Sequence, residues 1–198
     1  RTLGRRLGLV QTATSAPAEA KPASTKVSLS SNDQMSLFGG DDTPTEAATA
    51  GVSSRESVAT TTHLYQMVET AVEARQLAQI LAEQPSVAFD TETTSLDTLD
   101  AELVGMSFSP AKGKAYYVPV PADRAAAKEM VDAFAPFWAS AGEKIGQNIK
   151  YDISVLMNYG VEVKGPLFDT MIAHYLIQPD MRHNMDVLSE TYLNYTPV

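Results

Sequence analysis

The chain contains no cysteine among its 198 residues. This absence excludes a disulfide framework and any zinc site built from cysteine ligands. The sequence also lacks an apolar run approaching the ~20 residues of a membrane-spanning helix, and its N-terminus has no signal-peptide core. We therefore expect a soluble, cytoplasmic protein that does not bind membranes. Because the chain begins with Arg1 and not with Met, we expect it to be a piece of a longer protein.

Basic residues are scarce: 15 Lys and Arg stand against 24 Asp and Glu, which gives a net charge of −9. Residues 1–61 carry equal numbers of acidic and basic side chains, so the whole excess lies in residues 62–198. Affinity for nucleic acid comes largely from Lys and Arg, which makes an acidic domain a poor binder on its own. If residues 62–198 act on nucleic acid, a bound metal or an attached partner must supply the positive charge.

Two segments of the chain differ sharply in composition. In residues 11–61, about three residues in five are Ala, Ser, Thr, Pro or Gly, which is typical of a disordered linker. From residue 62 onward, apolar residues recur with strand and helix periods. This part predicts strands at 63–68, 86–92, 102–109, 115–120 and 144–146, and helices from Thr70 and over 122–139, 148–159, 168–177 and 185–194. Such an order of elements indicates a layered α/β domain.

The first of these helices carries a start signal. Thr70 and Glu73 have the spacing of a capping box, in which each side chain accepts a hydrogen bond from the backbone of the other. Beyond it, one helical face is predicted to consist of Val72, Leu77, Ile80 and Leu81.

Asp90 and Glu92 follow the apolar run Ser86–Phe89 and lie two positions apart. Residues two apart on a strand share a face, with Cβ atoms roughly 6.5–7 Å apart. Like charges this close repel each other unless a positive group lies between them, and hard oxygen ligands suit Mg²⁺ or Mn²⁺. The pair therefore predicts a divalent-metal site on a strand inside the sheet. The alternative is a solvated strand end followed by a Thr/Ser turn.

A third acidic candidate lies in the segment Gly146–Asp152. Its residues Asn148 and Asp152 are four apart and share a helical face. Taken singly, an Asn at a helix start indicates a cap, and an Asp in the first turn indicates an interaction with the helix dipole. Together with the earlier acidic pair, the combination is far more specific.

Four segments make residues 62–198 resemble the 3′–5′ exonuclease, or proofreading, domain of bacterial family A DNA polymerase I. These segments are Phe89–Leu96, Gly146–Asp152, Phe168–Met171 and Arg182–Asp186. The resemblance implies a ribonuclease-H-like fold, with a mixed sheet flanked by helices, and a place among the four-carboxylate exonucleases. It also implies that residues 1–10 end a preceding 5′-nuclease domain, that residues 11–61 form a flexible linker, and that a polymerase domain follows.

The resemblance assigns the acidic residues to metal binding and catalysis. Asp90 would bridge two divalent ions, Mg²⁺ or Mn²⁺, Glu92 would bind the tighter one, and Asp152 would hold the second, partly through water. Two such ions can activate a water molecule and stabilise the leaving 3′-oxygen in an in-line displacement. The implied substrate is the single-stranded 3′ end of DNA, and the implied product is a 5′-mononucleotide.

Further residues are implied to bind the substrate. Leu96 would wedge against the terminal base, and Asn148 and Tyr151 would help to position the strand. Arg182 and its neighbour His183 are candidates to contact a phosphate, since the domain is otherwise poor in cations. A structural role at a helix start is the alternative for these two residues.

One part of the family's pattern is missing from the sequence. The fourth carboxylate lies in a Tyr-x-x-x-Asp motif whose Tyr orients the attacking water, but Tyr151 is followed at that spacing by Val155 and Tyr192 by Thr196. The sister pattern His-x-x-x-x-Asp is also absent. We therefore expect a C-terminally truncated domain that folds partly or loosely and has little exonuclease activity, whereas the full-length protein is active.

A short apolar cluster interrupts the tail. Gln34–Phe38 resembles the Gln-x-x-Leu-Phe peptide by which bacterial replication proteins bind the sliding clamp. Leu37 and Phe38 would fill a hydrophobic pocket, and Gln34 would hydrogen-bond at its edge. Because five-residue matches also arise by chance, a segment without this function is the alternative.

The remaining residues with chemical potential have plainer interpretations. His174 lies on an apolar helix face, which favours a core position, and Trp138 is also expected in the core. Asp169 and Asp186 are expected to cap or brace helices.

We expect a monomer that acts at the bacterial nucleoid in DNA replication and repair. One alternative is a catalytically silent exonuclease-like scaffold that supports a polymerase, although the presence of all three carboxylates argues against it. The other is an RNA-trimming exonuclease of the same superfamily. The 5′-nuclease-like start and the clamp-like peptide favour DNA.

Overall fold

The computed structural model describes residues 55–197. The strands in this range are β1 (Leu64–Met67), β2 (Ser86–Thr93), β3 (Leu103–Ala111), β4 (Lys114–Pro119), β5 (Glu143–Gly146) and β6 (Leu167–Asp169). The helices are α1 (Ala71–Ala82), α2 (Arg124–Asp132), α3 (Ala135–Trp138), α4 (Ile149–Met157), α5 (Thr170–Ile177) and α6 (Met185–Leu193). The expected nuclease-domain remnant, most of the linker and the clamp-like residues Gln34, Leu37 and Phe38 lie outside the described residues.

The strands form one mixed sheet in the order β1-β4-β3-β2-β5-β6. β2 pairs antiparallel with β3, and β3 with β4, whereas β1, β5 and β6 join in parallel. This sheet and its helices confirm the predicted α/β class. Because β2 lies between β3 and β5, the strand that carries Asp90 and Glu92 is interior to the sheet, as predicted.

Helix α1 begins as its sequence predicts. The Thr70 hydroxyl accepts a hydrogen bond from the Glu73 N–H at 3.2 Å, and the Glu73 carboxylate accepts one from the Thr70 N–H at 3.1 Å. The predicted apolar face is only half right. The structure buries Ala74, Leu77, Ala78 and Leu81, but leaves Val72 and Ile80 exposed, because small alanines allow α1 to approach its neighbours closely.

An aromatic cluster fills the core on one face of the sheet. Phe89 on β2 and Phe108 on β3 contact Phe137 and Trp138, with ring centroids 5.4 Å apart for both Phe89–Trp138 and Phe108–Phe137. Phe134 stacks on Phe108 at 4.7 Å. These rings are almost completely buried, which confirms the expected core position of Trp138.

Two predicted helices are wrong in extent. The segment 122–139 forms two helices, α2 and α3, because Pro136 cannot donate the hydrogen bond that a continuous helix would require there. The segment 168–177 begins as strand β6, which pairs with β5, and becomes helical only at Thr170. Asp169 ends the strand and caps the helix with its side chain, so the change of structure occurs at that residue.

Residues 55–61, which the sequence assigns to the linker, are in contact with the other end of the described chain. The Glu56 N–H donates to the Asn194 carbonyl at 2.9 Å, and the Thr196 N–H donates to the Glu56 carbonyl at 2.8 Å. A short turn follows, in which the Ser57 carbonyl accepts hydrogen bonds from Thr60 and Thr61. These contacts bring both ends of the described segment together.

The last two helices are packed less completely than the core. α5 and α6 expose a set of large apolar side chains, namely Ile172, Tyr175, Leu176, Ile177, Met185, Tyr192 and Leu193. His174 is the buried exception on α5, and its ring nitrogens hydrogen-bond to His183 at 2.7 Å and to the Tyr192 hydroxyl at 3.0 Å. Its predicted core position is thus confirmed. Across residues 55–197, no helix combines the length and apolarity that crossing a membrane requires.

Candidate active site

Asp90 and Glu92 lie on the sheet face opposite the aromatic core. Residues Val87, Phe89 and Thr91 of β2 are buried toward the helices, and the alternating positions between them are half-buried. This alternation is the ordinary period of a strand. Both carboxylates therefore point to the same face, as the sequence predicts.

Asp152 reaches the same strand from helix α4. β2 continues past the end of β5, since their pairing stops at Ala88 and Ile145. At the edge left free, the Thr91 N–H donates to Asp152 Oδ1 at 2.9 Å, and the Thr91 hydroxyl donates to the same oxygen at 2.6 Å. The carboxylate of Asp152 thus accepts the backbone hydrogen bond that a neighbouring strand would otherwise accept. Both bonds go to Oδ1, so Oδ2 makes no hydrogen bond with Thr91.

Burial and two neighbouring carboxylates oppose the ionisation of Asp90. Burial raises the pKa of Asp90 from its ordinary value of 3.8 to about 7, and the negative charges of Asp152 and Glu92 add to the rise. Burial also raises the pKa of Asp152, although its hydrogen bonds from Thr91 act in the opposite direction. A cluster of this kind favours a cation, because positive charge stabilises the ionised forms that burial penalises.

The donor set fits a hard divalent cation in its chemistry, since all three candidate ligands offer carboxylate oxygens. The geometry is less complete. Within residues 55–197, no three His, Cys, Asp or Glu side chains converge closely enough to hold one ion together. Asp90, Glu92 and Asp152 are thus brought into one neighbourhood without forming a single coordination sphere, because Thr91 draws Asp152 Oδ1 toward the β2 edge.

Asn148 begins helix α4 in an unexpected way. It adopts a left-handed conformation with φ of 61°, and its side chain does not cap the helix. Asp169 supplies the cap instead, accepting hydrogen bonds from the N–H groups of Asn148 at 3.1 Å and Ile149 at 3.0 Å. Because Asp169 also caps α5, it fixes two helices beside the site, which confirms its expected structural role.

Tyr151 supports the loop that follows β2. Its hydroxyl donates to the Ser95 carbonyl at 2.5 Å and lies 2.5 Å from the Thr93 hydroxyl. The next residue in that loop, Leu96, is 93% exposed. The side chain of Leu96 is therefore free to contact a bound molecule. Tyr151 supports it by holding the backbone carbonyl of Ser95, the residue before it.

Arg182 lies in the turn between α5 and α6 and is exposed. It forms no ion pair with any other residue of the described range 55–197. His183, its companion in the sequence prediction, is occupied: its ring bonds to His174, and its carbonyl accepts a hydrogen bond from Gln147. Of these two residues, Arg182 is the one whose side chain is available to a phosphate.

One pocket among the described residues lies away from the carboxylates. This pocket measures about 820 Å³ and lies against α1 and α2, where Arg75, Arg124 and Lys128 line it. None of the three carboxylates contributes to that lining.

Sequence reasoning missed two residues of this region. In the sequence Thr91 is only the spacer between two acidic residues, whereas in the folded chain it holds Asp152. Tyr117, on β4, is buried and carries a pKa raised first by burial and then by the charge of Glu92. The alternation within β4 does not identify Tyr117. Its neighbours on the sheet depend on which strands pair with β4, and the sequence does not show that pairing.

Comparisons with known proteins agree with this architecture. The family model described as 3′-5′ exonuclease matches residues 65–197. DNA polymerase I of Borreliella burgdorferi is 35% identical over 164 residues, which is 81% of this chain and 18% of that protein. DNA polymerase I of Pseudomonas aeruginosa is 37% identical over 128 residues, or 60% of this chain and 14% of that protein. The chain thus spans less than a fifth of the length of these relatives.

Solved structures share the fold at lower identity. Brucella melitensis NrnC with bound Mg²⁺ has a TM-score of 0.55 at 21% identity, with 70% of this chain and 65% of that chain covered. Escherichia coli RNase D, an exoribonuclease involved in structured RNA processing, has a TM-score of 0.53 at 21% identity, with coverage of 68% and 35%. The fold is therefore ribonuclease-H-like, as the sequence resemblance implied. With residues 65–197 matched by the family model and polymerase relatives above 30% identity, the chain belongs to the 3′–5′ exonuclease family of DNA polymerase I.

Proposed function

We propose that residues 62–198 supply the 3′–5′ exonuclease site of a bacterial DNA polymerase I, which removes 3′-terminal nucleotides during DNA replication and repair. One observation carries the proposal: Thr91 holds Asp152 at the edge of the strand on which Asp90 and Glu92 lie. Three carboxylates from two distant segments meet there at the cost of mutual repulsion. A structural role alone gives no reason for placing them together.

The proposed ligands of two divalent ions, Mg²⁺ or Mn²⁺, are Asp90, Glu92 and Asp152. When bound, such ions supply an activated water and stabilise the leaving 3′-oxygen. The chain itself contributes the oxygen donors and their rigid support. Near neutral pH, Asp90 without a cation is about half protonated, because its pKa is about 7. A neighbouring positive charge lowers that pKa and keeps the carboxylate ionised.

The proposed substrate contacts surround these carboxylates. Leu96 would press its exposed side chain against the terminal base, and Tyr151 would hold the loop that presents it. Asn148, whose side chain is free of capping, would hydrogen-bond to the strand, and Arg182 would pair with a phosphate. The substrate is the single-stranded 3′ end of DNA, and each cycle releases one 5′-mononucleotide.

The proposed organisation follows the polymerase relatives. Residues 1–10 end a 5′-nuclease domain, residues 11–61 form a linker, and a polymerase domain follows the exonuclease domain. Gln34, Leu37 and Phe38 in the linker bind the sliding clamp, and the protein acts as a monomer at the nucleoid. Because the sequence contains no Tyr-x-x-x-Asp motif, we expect the 198-residue chain alone to have little exonuclease activity.

The test uses the full-length polymerase and a primer with a mispaired 3′ end. We expect Asp90→Ala and Asp152→Ala each to reduce release of mononucleotides by at least about 100-fold, because each removes a proposed metal ligand. Asp132→Ala is the matched control, since Asp132 is exposed and pairs only with Lys128 within residues 55–197. Polymerase activity serves as the internal measure of folding. Undiminished mononucleotide release in Asp90→Ala would show that Asp90 is not required for the reaction, and no release from the unmodified polymerase would favour the silent-scaffold alternative.

The RNA alternative has support from one structural neighbour, RNase D, which processes structured RNA. The same assay separates the two substrates when single-stranded DNA and RNA of one sequence are compared. We expect DNA to be degraded faster. Preference for RNA would replace the proofreading role with RNA trimming at the same carboxylates.

A further inference from the structure

The face of the sheet that carries Asp90 and Glu92 also carries a tyrosine, Tyr117. In the strand register, Glu92 pairs with Gly105, Asp90 pairs with Ser107, and Ser107 pairs with Tyr117. Residues that pair across strands point to the same face. Tyr117 therefore lies on the face that carries Asp90 and Glu92, two strands away from them.

Gly105 opens the path between Tyr117 and Glu92. A Cβ atom added to Gly105 would lie 2.2 Å from the Tyr117 hydroxyl oxygen, and 2.6 and 2.7 Å from two of its ring carbons. The end of the phenol thus occupies the space that a side chain at position 105 would fill. Tyr117 is diagonal to Gly105 in the register, a separation that aromatic side chains can cross.

This position places the hydroxyl within reach of Glu92. The Cβ atoms of directly paired antiparallel residues are roughly 4.5–5.5 Å apart. The Tyr117 hydroxyl stands close to where the Cβ of residue 105 would be, on the face of β3 that Glu92 shares. The carboxylate of Glu92, two bonds beyond its Cβ, is not hydrogen-bonded to the hydroxyl in this arrangement, and the contact requires a rotation about the Glu92 side-chain bonds.

The surroundings of the phenol favour such a contact. Tyr117 as a residue is only 5% exposed, but no buried side-chain polar atom among residues 55–197 lacks a hydrogen-bond partner, so its hydroxyl end reaches solvent and is open to a partner. No residue in the range 55–197 forms a side-chain hydrogen bond with it in the present arrangement. The negative charge of Glu92 lies close enough to add to the rise that burial causes in the pKa of Tyr117.

We propose that Tyr117 is a positioning residue, whose hydroxyl donates a hydrogen bond to the Glu92 carboxylate and fixes the orientation of that ligand, and that Gly105 is required to leave room for it. The inference rests on the proposed function of Glu92. It assigns to β4 a direct part in the site, although β4 carries none of the carboxylates.

The test compares Tyr117→Phe with Tyr116→Phe in the full-length polymerase. Tyr116 is the adjacent residue and belongs to the opposite, core face, so it controls for the loss of a hydroxyl. We expect Tyr117→Phe to lower the exonuclease kcat about tenfold with little change in KM, because one hydrogen bond to a charged group is lost. Tyr116→Phe is expected to match the wild-type protein in both constants.

A second readout is Mn²⁺ binding, measured by titration of the same variants and of Glu92→Gln. Tyr117→Phe is expected to weaken binding several-fold in the wild-type background and to have no effect in the Glu92→Gln background, since its action passes through Glu92. Gly105→Ala should reproduce the defect of Tyr117→Phe. Equal effects of Tyr117→Phe in both backgrounds, or wild-type kcat in Tyr117→Phe, would overturn the inference.

The results for Glu92→Gln and Tyr117→Phe together distinguish an error in the proposed function from an error in the proposed role of Tyr117. If Glu92→Gln keeps full exonuclease activity, the proposed function of the site is wrong. If Glu92→Gln abolishes activity while Tyr117→Phe behaves like the wild-type protein, only the positioning role of Tyr117 is wrong. Polymerase activity identifies any variant that fails to fold.

Discussion

The two faces of strand β2 have opposite chemistry. Phe89 faces the helices and contacts Trp138 with ring centroids 5.4 Å apart, whereas the next residue, Asp90, faces away and has a pKa raised to about 7. One side chain gains free energy from leaving water, and the other loses it. Alternation along the strand places the two side chains on opposite faces. Phe89 therefore contributes to stability, and Asp90 to the chemistry of the site, independently of each other.

The two faces have opposite effects on the free energy of unfolding. The aromatic face holds the sheet and helices together, and the carboxylate face concentrates like charges that lower the free energy of unfolding in the absence of a cation. Thr91 lies at the boundary, since its side chain faces the core but bonds to Asp152.

The largest expected effect is on the core face. Phe89→Ala should lower the free energy of unfolding of the 198-residue chain by about 3–5 kcal/mol, because it removes a buried ring and leaves a cavity. Denaturant titration measures the loss. The matched variant on the opposite face is Asp90→Asn, which keeps the side-chain shape and should cause no loss in EDTA. A loss below about 1 kcal/mol in Phe89→Ala would remove the contrast between the faces.

The next effect is a pH dependence that belongs to the carboxylate face. Because the pKa of Asp90 rises from 3.8 to about 7 on folding, the folded state binds more protons than the unfolded state between these values. Its contribution to stability is therefore complete below about pH 4 and is lost as the pH rises through 7. In EDTA, we expect the free energy of unfolding to fall on the order of 2 kcal/mol across this range.

Urea titrations at a series of pH values measure this slope. Asp90→Asn should reduce it, because the amide does not titrate, and the smaller slope that remains is expected from Asp152, whose pKa burial also raises. A slope of the same size in Asp90→Asn would assign the pH dependence to other groups.

Much of the fold could be predicted from the sequence because its signals are local. The capping box at Thr70, the alternation through β2 and the hairpin of β3 and β4 each depend on residues close together in the chain. The break at Pro136 has a local signal too, but strand β6 does not: it exists because β5 offers a free edge, which no window of sequence reveals.

The candidate site could be predicted less completely, and for a related reason. The residues Asp90, Glu92 and Asp152 were identified from their types and spacing, with the help of a family resemblance. The bond from Thr91 to Asp152 joins positions 61 residues apart, and the approach of Tyr117 to Glu92 depends on the register of three strands. Such contacts are properties of the folded chain and have no pattern in a single sequence.

A smaller effect is expected at the boundary between the faces. Thr91→Val removes the hydroxyl that donates to Asp152 at 2.6 Å and leaves the backbone donor in place. The loss should be about 2 kcal/mol at neutral pH, because the acceptor is a buried carboxylate. Thr91→Ser, which keeps the hydroxyl, should retain most of the stability when both variants are unfolded in denaturant. Equal losses in both variants would mean that the methyl group, and not the hydrogen bond, matters.

The smallest effect is expected away from both faces. Lys128 and Asp132 form an ion pair at 2.7 Å on α2, with about half of each side chain exposed. Lys128→Ala should change the free energy of unfolding by less than about 0.5 kcal/mol, because water and salt screen such pairs. Thermal unfolding at low and high salt checks this. A larger change that salt does not reduce would show that charges outside the site also govern stability.

We propose that the carboxylate face is destabilised by its own charges and stabilised by a divalent cation. The most direct measurement is the thermal unfolding midpoint of the 198-residue chain and of Asp90→Asn, each in EDTA and in excess Mn²⁺. We predict that Asp90→Asn is the more stable in EDTA, and that Mn²⁺ raises the midpoint of the wild-type chain but not that of Asp90→Asn. An equal Mn²⁺ effect on both proteins, or none on either, would contradict the account.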